Sequence, residues 1–386
     1  MYNFVTLCYG EILNNLTLIL LAAGSSTRFG LNTKKQWLRI DHQPLWLAVA
    51  KNFEKTNLFD KIIITSSAQD IEFMKNYADY EFIEGGSTRQ ESLKNALVEV
   101  DSEFVMVSDI ARCCVDEQLL LNILSHKQKA DSIVPYLDAK DTIVYGDKTI
   151  NRDEVKIIQT PQLSKTKILK DALLNAKEDF SDESSAIVAS GGLRYFVLGS
   201  EDAHKLTHLS DLKKLPCLNP PSKDMLNGIG FDVHAFDDKG SMYLGGIKID
   251  SEFGFKAHSD GDVALHALID ALLGAAGMGD IGMLFPDNDP TYKGIDSKEL
   301  LKDVVKKLHG FGFNIVNVDL TIACEKPKLS PYKTNIRQTI AAILQIEASR
   351  VNIKASTTEK LGFVGRGEGV AVFASANLKY FDWMDV

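Results

Sequence analysis

Leu16-Thr17-Leu18-Ile19-Leu20-Leu21-Ala22-Ala23, running straight into Gly24-Ser25-Ser26-Thr27-Arg28-Phe29-Gly30, is the stretch on which the reading of the first half turns. An apolar run that ends in small residues could be the hydrophobic part of a secretory signal. No Lys or Arg precedes it, however, and Glu11 sits where positive charge should be. It is also too short to span a bilayer. The run therefore reads as a buried β-strand over Leu18–Ala22, with the Gly/Ser stretch as the loop leaving its carboxyl end. The residues before it are an uninformative extension.

Working outward, Lys61–Thr65, Phe104–Val107 and Ile133–Pro135 are further apolar runs of strand length. Between the runs, Leu45–Lys55, Ile71–Tyr77, Arg89–Val100 and Gln118–Gln128 space their apolar residues as helices do. Strand and helix in alternation predict an α/β fold, a doubly wound and mostly parallel sheet covered on both faces. Ligands bind such sheets beyond the carboxyl ends of the strands. The alternation stops near Leu212. Lys213-Lys214-Leu215-Pro216 and Asn219-Pro220-Pro221-Ser222 suit a linker, and after Asn227 come glycine-punctuated strands and two long apolar helices. The expected organisation is a domain over residues 1–212, a linker over 213–226 and a second domain over 227–386.

A length of 386 residues accommodates two domains, and 45% hydrophobic with 25% charged residues is ordinary for a globular chain. The net charge of −9 argues against nucleic acid or a membrane surface as partner. It leaves room for anionic small molecules where Lys and Arg cluster locally. Cys8, Cys113, Cys114, Cys217 and Cys324 form neither a C-x-x-C pair nor an even framework, which fits a reducing compartment and a cytoplasmic location.

Two patterns carry chemistry. In the Gly24–Gly30 loop, small residues let backbone N–H groups and Ser hydroxyls approach a phosphate chain, and Arg28 and Lys35 add positive charge where a triphosphate would lie. Alone, this loop reads more readily as an ordinary strand-to-helix turn with solvated cations. Further on, Asp232-x-His234 lies on an expected strand starting at Gly230, so both side chains point the same way. His266 lies on an expected helix that Ser259-Asp260-Gly261-Asp262 could cap. One carboxylate and two imidazoles make a three-ligand zinc site with a fourth position open, although each piece alone is common by chance.

Further segments decide between these readings. The chain from Leu16 to Leu212 resembles the 2-C-methyl-D-erythritol 4-phosphate cytidylyltransferase family. The resemblance is carried by Ala22-Ala23-Gly24 through Arg28, Lys34-Lys35-Gln36, Gly85-Gly86-Ser87-Thr88-Arg89-Gln90-Glu91-Ser92, Asp109-Ile110-Ala111-Arg112 and Thr160-Pro161-Gln162. Arg152 stands eight residues before Thr160, and Lys205 just before Leu206-Thr207, as the family's substrate-binding Arg and Lys do. The resemblance implies attack of methylerythritol phosphate on the α-phosphorus of CTP, expelling pyrophosphate, with Mg²⁺ (or Mn²⁺) bridging the phosphates. It implies that Arg28 and Lys35 stabilise the transition state and that Arg152 and Lys205 hold the incoming phosphate. Ala22, Ala23, Gly24, Ser26, Gly86, Arg89, Ser92, Asp109, Ala111, Arg112 and Thr142 would contact substrate. Three residues depart from the family pattern: Ser26 for the second loop glycine, Lys34 for the Pro before the catalytic Lys, and Cys113 for a Pro after Arg112.

From Gly228 onward the chain resembles the 2-C-methyl-D-erythritol 2,4-cyclodiphosphate synthase family. The segments are Gly230-Phe231-Asp232-Val233-His234, Ala257-His258-Ser259-Asp260-Gly261-Asp262, Gly279-Asp280-Ile281-Gly282, Leu284-Phe285-Pro286-Asp287, Lys354–Gly362 and Gly365-Arg366-Gly367-Glu368-Gly369. The implied reaction closes CDP-methylerythritol phosphate into a cyclic diphosphate and releases CMP. Asp232, His234 and His266 would hold Zn²⁺, Glu359 would help to hold a second ion, Mg²⁺ or Mn²⁺, and His258 and Thr357 would stabilise the transition state. Ser259, Asp280, Ile281, Gly282, Phe285, Pro286, Asp287, Pro327, Lys328, Leu329, Phe363 and Arg366 would contact substrate. The family folds as a β-α ferredoxin-like-type domain forming trimers, and the cytidylyltransferases are usually dimers, so a fusion would assemble as a homo-oligomer such as a hexamer. No G-x-x-x-x-G-K-[ST] loop accompanies them, so the phosphorylation between the two reactions is expected on another chain. The competing readings are a nucleotidyltransferase for another sugar phosphate fused to a zinc phosphohydrolase, and a catalytically silent oligomeric scaffold.

Overall fold

The computed structural model describes residues 15–24, 26, 29–238, 241–256, 260–286, 288–292 and 294–385. It forms two compact units, Met1–Pro220 with Trp383–Val386, and Pro221–Asp382. The tail thus belongs with the first unit rather than the second. The reason is local: the buried Trp383 donates its indole N–H to Arg39 O at 2.7 Å.

The first unit is built on an eight-stranded sheet. Leu16–Leu21 lies at its centre, parallel to Lys61–Ser66 on one side and Phe104–Asp109 on the other. All six residues of Leu16–Leu21 and of Phe104–Asp109 are buried. A parallel strand covered by helices on both faces needs this uninterrupted run rather than alternation. Glu81–Glu84 extends the parallel set. Beyond Phe104–Asp109 the antiparallel strand Gln162–Lys165 intervenes before Ser132–Asp138, which pairs parallel with Arg194–Leu198 and antiparallel with Lys156–Ile158. The expected doubly wound, mostly parallel α/β sheet is therefore present. The expected helices run Leu45–Glu54, Ala68–Met74, Arg89–Leu97 and Glu117–Ser125.

One feature of this unit contradicts the sequence reading. Cys114 and Cys217 form a disulfide across 103 residues, with their Cα atoms 5.5 Å apart. No spacing rule flags a pair so distant in the chain. The fold itself brings together the segment after Phe104–Asp109 and the end of the unit.

The second unit is a five-stranded mixed sheet ordered Gly254–Phe255, Leu226–Asp237, Gly369–Tyr380, Phe313–Ala323 and Val351–Ser356. The helices Val263–Ala276, Ser297–Gly310 and Lys333–Leu344 accompany it. Along Leu226–Asp237 the faces alternate: Gly228 and Gly230 are buried while Ile229, Phe231 and Val233 are exposed. Helix Val263–Ala276 seats directly on the glycines, because a Cβ at Gly230 would lie 1.9 Å from Ala267 O. Among the described residues no helix is long and apolar enough to cross a membrane.

Candidate active sites

In the first unit a cavity of about 400 Å³ opens beyond the carboxyl ends of the central strands. Of the residues expected at a nucleotide site, Ala22, Ala23, Gly24, Ser26, Lys35, Gly86, Arg89, Ser92, Asp109, Ala111 and Lys205 all line it. Arg28 lies outside the described residues. Gln36, Ser87, Thr88 and Ile110, from the segments that carry the resemblance, line it as well, as do Leu21, Phe29 and Thr65.

The cations of the cavity are tethered. Lys35 donates its ammonium to Leu206 O at 2.5 Å and its backbone N–H to Ser26 Oγ at 3.0 Å. Arg89 follows the helix cap Thr88, donates to Asp109 at 3.0 Å through Nε and reaches the fully buried Glu183 at 2.6 Å through Nη1. Lys205 holds the other oxygen of Asp109 at 2.5 Å. Burial alone would raise the Asp109 carboxyl, but Arg89 and Lys205 hold it well below the usual carboxylate range. Glu183 shifts the other way, because burial outweighs its pairing with Arg89. The described lining carries three cations against one carboxylate, which suits a polyphosphate.

The three departures from the family pattern now have physical readings. Ser26 has φ +57°, the left-handed region that favours glycine, and its hydroxyl offsets the strain by accepting from Lys35 N and donating to Gln36 Oε1 at 3.4 Å. Lys34 pairs at 2.5 Å with the buried Asp70, which also accepts from Gln36 at 3.0 Å. Cys113 is buried, and burial pushes its thiol up to about 12.

Three expected residues do not line the cavity. Arg112 is buried and directs its guanidinium to Thr160 Oγ1, Ala203 O and Ile158 O at 3.0, 2.6 and 3.5 Å. It fastens the loop before Lys205 instead of reaching into the pocket. Thr142 is exposed beside the hairpin Ile143–Tyr145/Lys148–Ile150. Arg152, in the turn after it, is exposed and donates to Lys140 O at 2.8 Å.

In the second unit the metal-type ligands converge. Asp232 Oδ2 lies 3.3 Å from His234 Nε2 and 3.3 Å from His266 Nδ1. The three ligand atoms fall within 4.8 Å of one another, the only such group among the described residues. Within the expected capping segment, Asp262 is the N-cap of the His266 helix: its carboxylate accepts from Ala264 N and Leu265 N, and from Gly245 N and Gly246 N of a neighbouring turn. Burial lowers the pKa of His234, whereas at His266 burial is outweighed by Asp232 and the pKa rises. A carboxylate with two imidazoles, all partly buried, fits Zn²⁺ and leaves a coordination position open.

His258, Ser259 and Asp287 lie outside the described residues. Glu359 stands apart from the three-ligand group and accepts from Thr357 Oγ1 at 3.2 Å. Glu325, which the sequence did not single out, orders that turn by accepting from Thr358 N and Lys360 N at 3.0 and 3.4 Å. Asp280 caps the short helix Ile281–Leu284, which contains Gly282. Phe285 and Leu329 are buried, while Pro286, Lys328, Phe363 and Arg366 are exposed and Pro327 half-buried. Arg366 is held by Glu368 through two bonds of 2.8 and 2.9 Å.

A sheet with a cation-lined cavity at its strand ends, and a second sheet bearing a carboxylate and two imidazoles, define a two-domain enzyme acting on phosphorylated substrates. Residues 16–215 match the family model of 2-C-methyl-D-erythritol 4-phosphate cytidylyltransferase, and residues 225–379 match the YgbB family. The bifunctional enzyme IspD/IspF of Sulfurimonas denitrificans is 68% identical over 100% of both chains. That of Sulfurovum sp. is 54% identical over 96% of this chain and 99% of its own. The structure of the bifunctional IspDF from Campylobacter jejuni has a TM-score of 0.88 at 49% identity, covering 96% of this chain and 100% of the other. The chain belongs to the bifunctional IspD/IspF family: it is an enzyme of non-mevalonate isoprenoid biosynthesis with a cytidylyltransferase and a cyclodiphosphate synthase domain.

Proposed function

We propose that the first domain transfers CMP from CTP to 2-C-methyl-D-erythritol 4-phosphate, releasing pyrophosphate. The second would cyclise CDP-methylerythritol 2-phosphate to methylerythritol 2,4-cyclodiphosphate, releasing CMP. The observation that carries the first half is the tethered trio Lys35, Arg89 and Lys205 around one cavity. Backbone N–H groups of Ala23 and Gly24 and the cations receive the triphosphate, and Lys35 meets the charge growing on the α-phosphoryl oxygens. Lys205, positioned by Asp109, receives the methylerythritol phosphate. Arg28 would offset the charge of the triphosphate and, with Lys35, stabilise the transition state. Arg152 sits on an arm whose Val144 and Tyr145 are exposed, which favours a dimer in which the arm of one copy serves the cavity of the other.

In the second domain the residues Asp232, His234 and His266 would hold Zn²⁺, and Glu359 would hold Mg²⁺ or Mn²⁺ together with the substrate's phosphates. Bound there, the ions supply charge neutralisation and polarisation of the two phosphates that must approach each other. Thr357 and His258 would orient and stabilise the phosphoryl group in flight, and the Asp280–Phe285 and Pro327–Leu329 segments would confine the rest of the substrate. The exposed Ile229, Phe231, Val233 and Phe373 support a trimer that covers this face, and a hexamer if the first domains also pair. A cytoplasmic location completes the reading, with Cys114–Cys217 as an exception to the free thiols expected there.

Supplying each substrate separately tests it. Lys35→Ala should abolish pyrophosphate release while CMP release survives, and His266→Ala should do the reverse and lose zinc. Loss of both activities in either variant overturns the assignment of independent sites.

A further inference from the structure

The ligand cluster is framed by three consecutive residues, Asp260-Gly261-Asp262. Gly261 O lies 2.9 Å from His234 Nδ1. A carbonyl only accepts, so Nδ1 carries the proton and His234 turns the lone pair of Nε2 toward Asp232. On the other imidazole, His266 Nε2 lies 2.9 Å from Ser297 Oγ. The hydroxyl of Ser297 donates its one proton to Asp260 Oδ1 at 2.5 Å, while Ser297 N donates to Asp260 Oδ2 at 3.2 Å. With that proton committed to a carboxylate, Oγ can only accept from His266. A neutral His266 is thereby placed to carry its proton on Nε2, which leaves the Nδ1 lone pair for a cation held beside Asp232.

We propose that Ser297, clamped by Asp260, is the positioning residue that sets the tautomer and ring plane of His266 for metal binding. This rests on the reading of Asp232, His234 and His266 as the zinc ligands. Ser297 is wholly buried at the start of helix Ser297–Gly310, whose N-cap is Asp296, so Asp260 is not needed to cap that helix. Asp260 N also donates to Ile295 O at 3.3 Å, so the two segments are joined by three bonds and the hydroxyl has little freedom to turn. In Asp260→Asn the side-chain amide can donate to Oγ, which turns the hydroxyl proton toward Nε2 and favours the wrong tautomer.

The test is zinc affinity of the full chain, measured by competition with a chromophoric chelator, alongside ¹⁵N-histidine spectra of the metal-free protein at a pH high enough that both imidazoles are neutral. Ser297→Ala and Asp260→Asn should each weaken zinc binding by about 10- to 100-fold and remove the Nε2-protonated signature of His266. Ser297→Thr, which keeps the hydroxyl, should restore both. If the parent protein binds zinc and His266→Ala loses it, yet Ser297→Ala binds as tightly as the parent, the inference fails while the ligand reading stands. If the parent binds no zinc, the ligand reading itself fails. A lowered unfolding midpoint of the metal-free Ser297→Ala protein with zinc affinity unchanged would assign Ser297 a purely structural role and overturn the inference.

Discussion

Replacing Gly230 by alanine should open the candidate metal site without touching any of Asp232, His234 and His266. Gly230 shares a face of its strand with Asp232 and His234, and the helix carrying His266 rests on it. An added Cβ would stand 1.9 Å from Ala267 O and 2.7 Å from Ala271 N. Both are backbone atoms, so no side chain can rotate away. Restoring ordinary contact near 3.4 Å moves helix and strand apart by about 1.5 Å, whereas metal–ligand distances tolerate only about 0.2 Å. Overpacking of this kind costs roughly 1–3 kcal/mol, and the upper end applies where the neighbours are backbone. At 2–3 kcal/mol the second domain's unfolding midpoint should fall by about 5–10 °C. Zinc bound per chain, determined by elemental analysis at fixed free zinc, should drop together with CMP release, while pyrophosphate release is retained. Full zinc content with a midpoint within about 1 °C of the parent would refute the argument that this close approach sets the ligand geometry.

Glu183→Gln should loosen Arg89, which would keep its place at the cavity but lose its buried ionic partner. The expected result is about 2 kcal/mol less stability and a raised KM for CTP with kcat little changed, read from steady-state kinetics and thermal unfolding. Asp211 supplies a pH test: burial raises its carboxyl, but the N–H groups of His208 and Thr207, with His204, outweigh burial and bring it to about 2. Because the folded value lies below the ordinary 3.8, its contribution is complete above about pH 4 and fades as pH falls toward 2. Asp211→Asn should therefore narrow the gap between denaturant midpoints at pH 7 and pH 3. Reducing Cys114–Cys217 should lower the first domain's unfolding midpoint, since a cross-link spanning about 100 residues stabilises by up to roughly 4–5 kcal/mol; Cys114→Ser should show the same midpoint and no further response to reductant.

What could be read in the sequence was whatever has a local period. Leu16–Leu21 announces a covered parallel strand by being apolar throughout, and Asp232-x-His234 announces a shared face by its spacing of two. What escaped is long-range. Glu183 meets Arg89 across 94 residues, Ser297 meets His266 across 31, and Cys114 meets Cys217 across 103. No window of sequence contains either partner's need for the other. The capping segment Ser259–Asp262 was also legible, but not that Asp262 would serve both the helix start and the Gly245-Gly246 turn, which lies 16 residues away in sequence. Arg112 sits in a motif with Asp109, yet the fold turns one into the cavity and keeps the other behind it.

The same long-range partners explain how a chain of net charge −9 can receive polyanions. Bulk charge sets only the far field, which counterions screen beyond about 10 Å; within the cavity the balance is set by where each carboxylate points. Asp109 and Glu183 lower the net positive charge of the first site, but by gripping Arg89 and Lys205 they remove the freedom those side chains would otherwise lose on binding. In the second unit Asp260 and Asp262 bond Ser297 and backbone N–H groups, and their charge is felt at His266 as well. Acidic residues placed behind the sites thus act as anchors, and in the first unit the cations they hold are left lining the cavity.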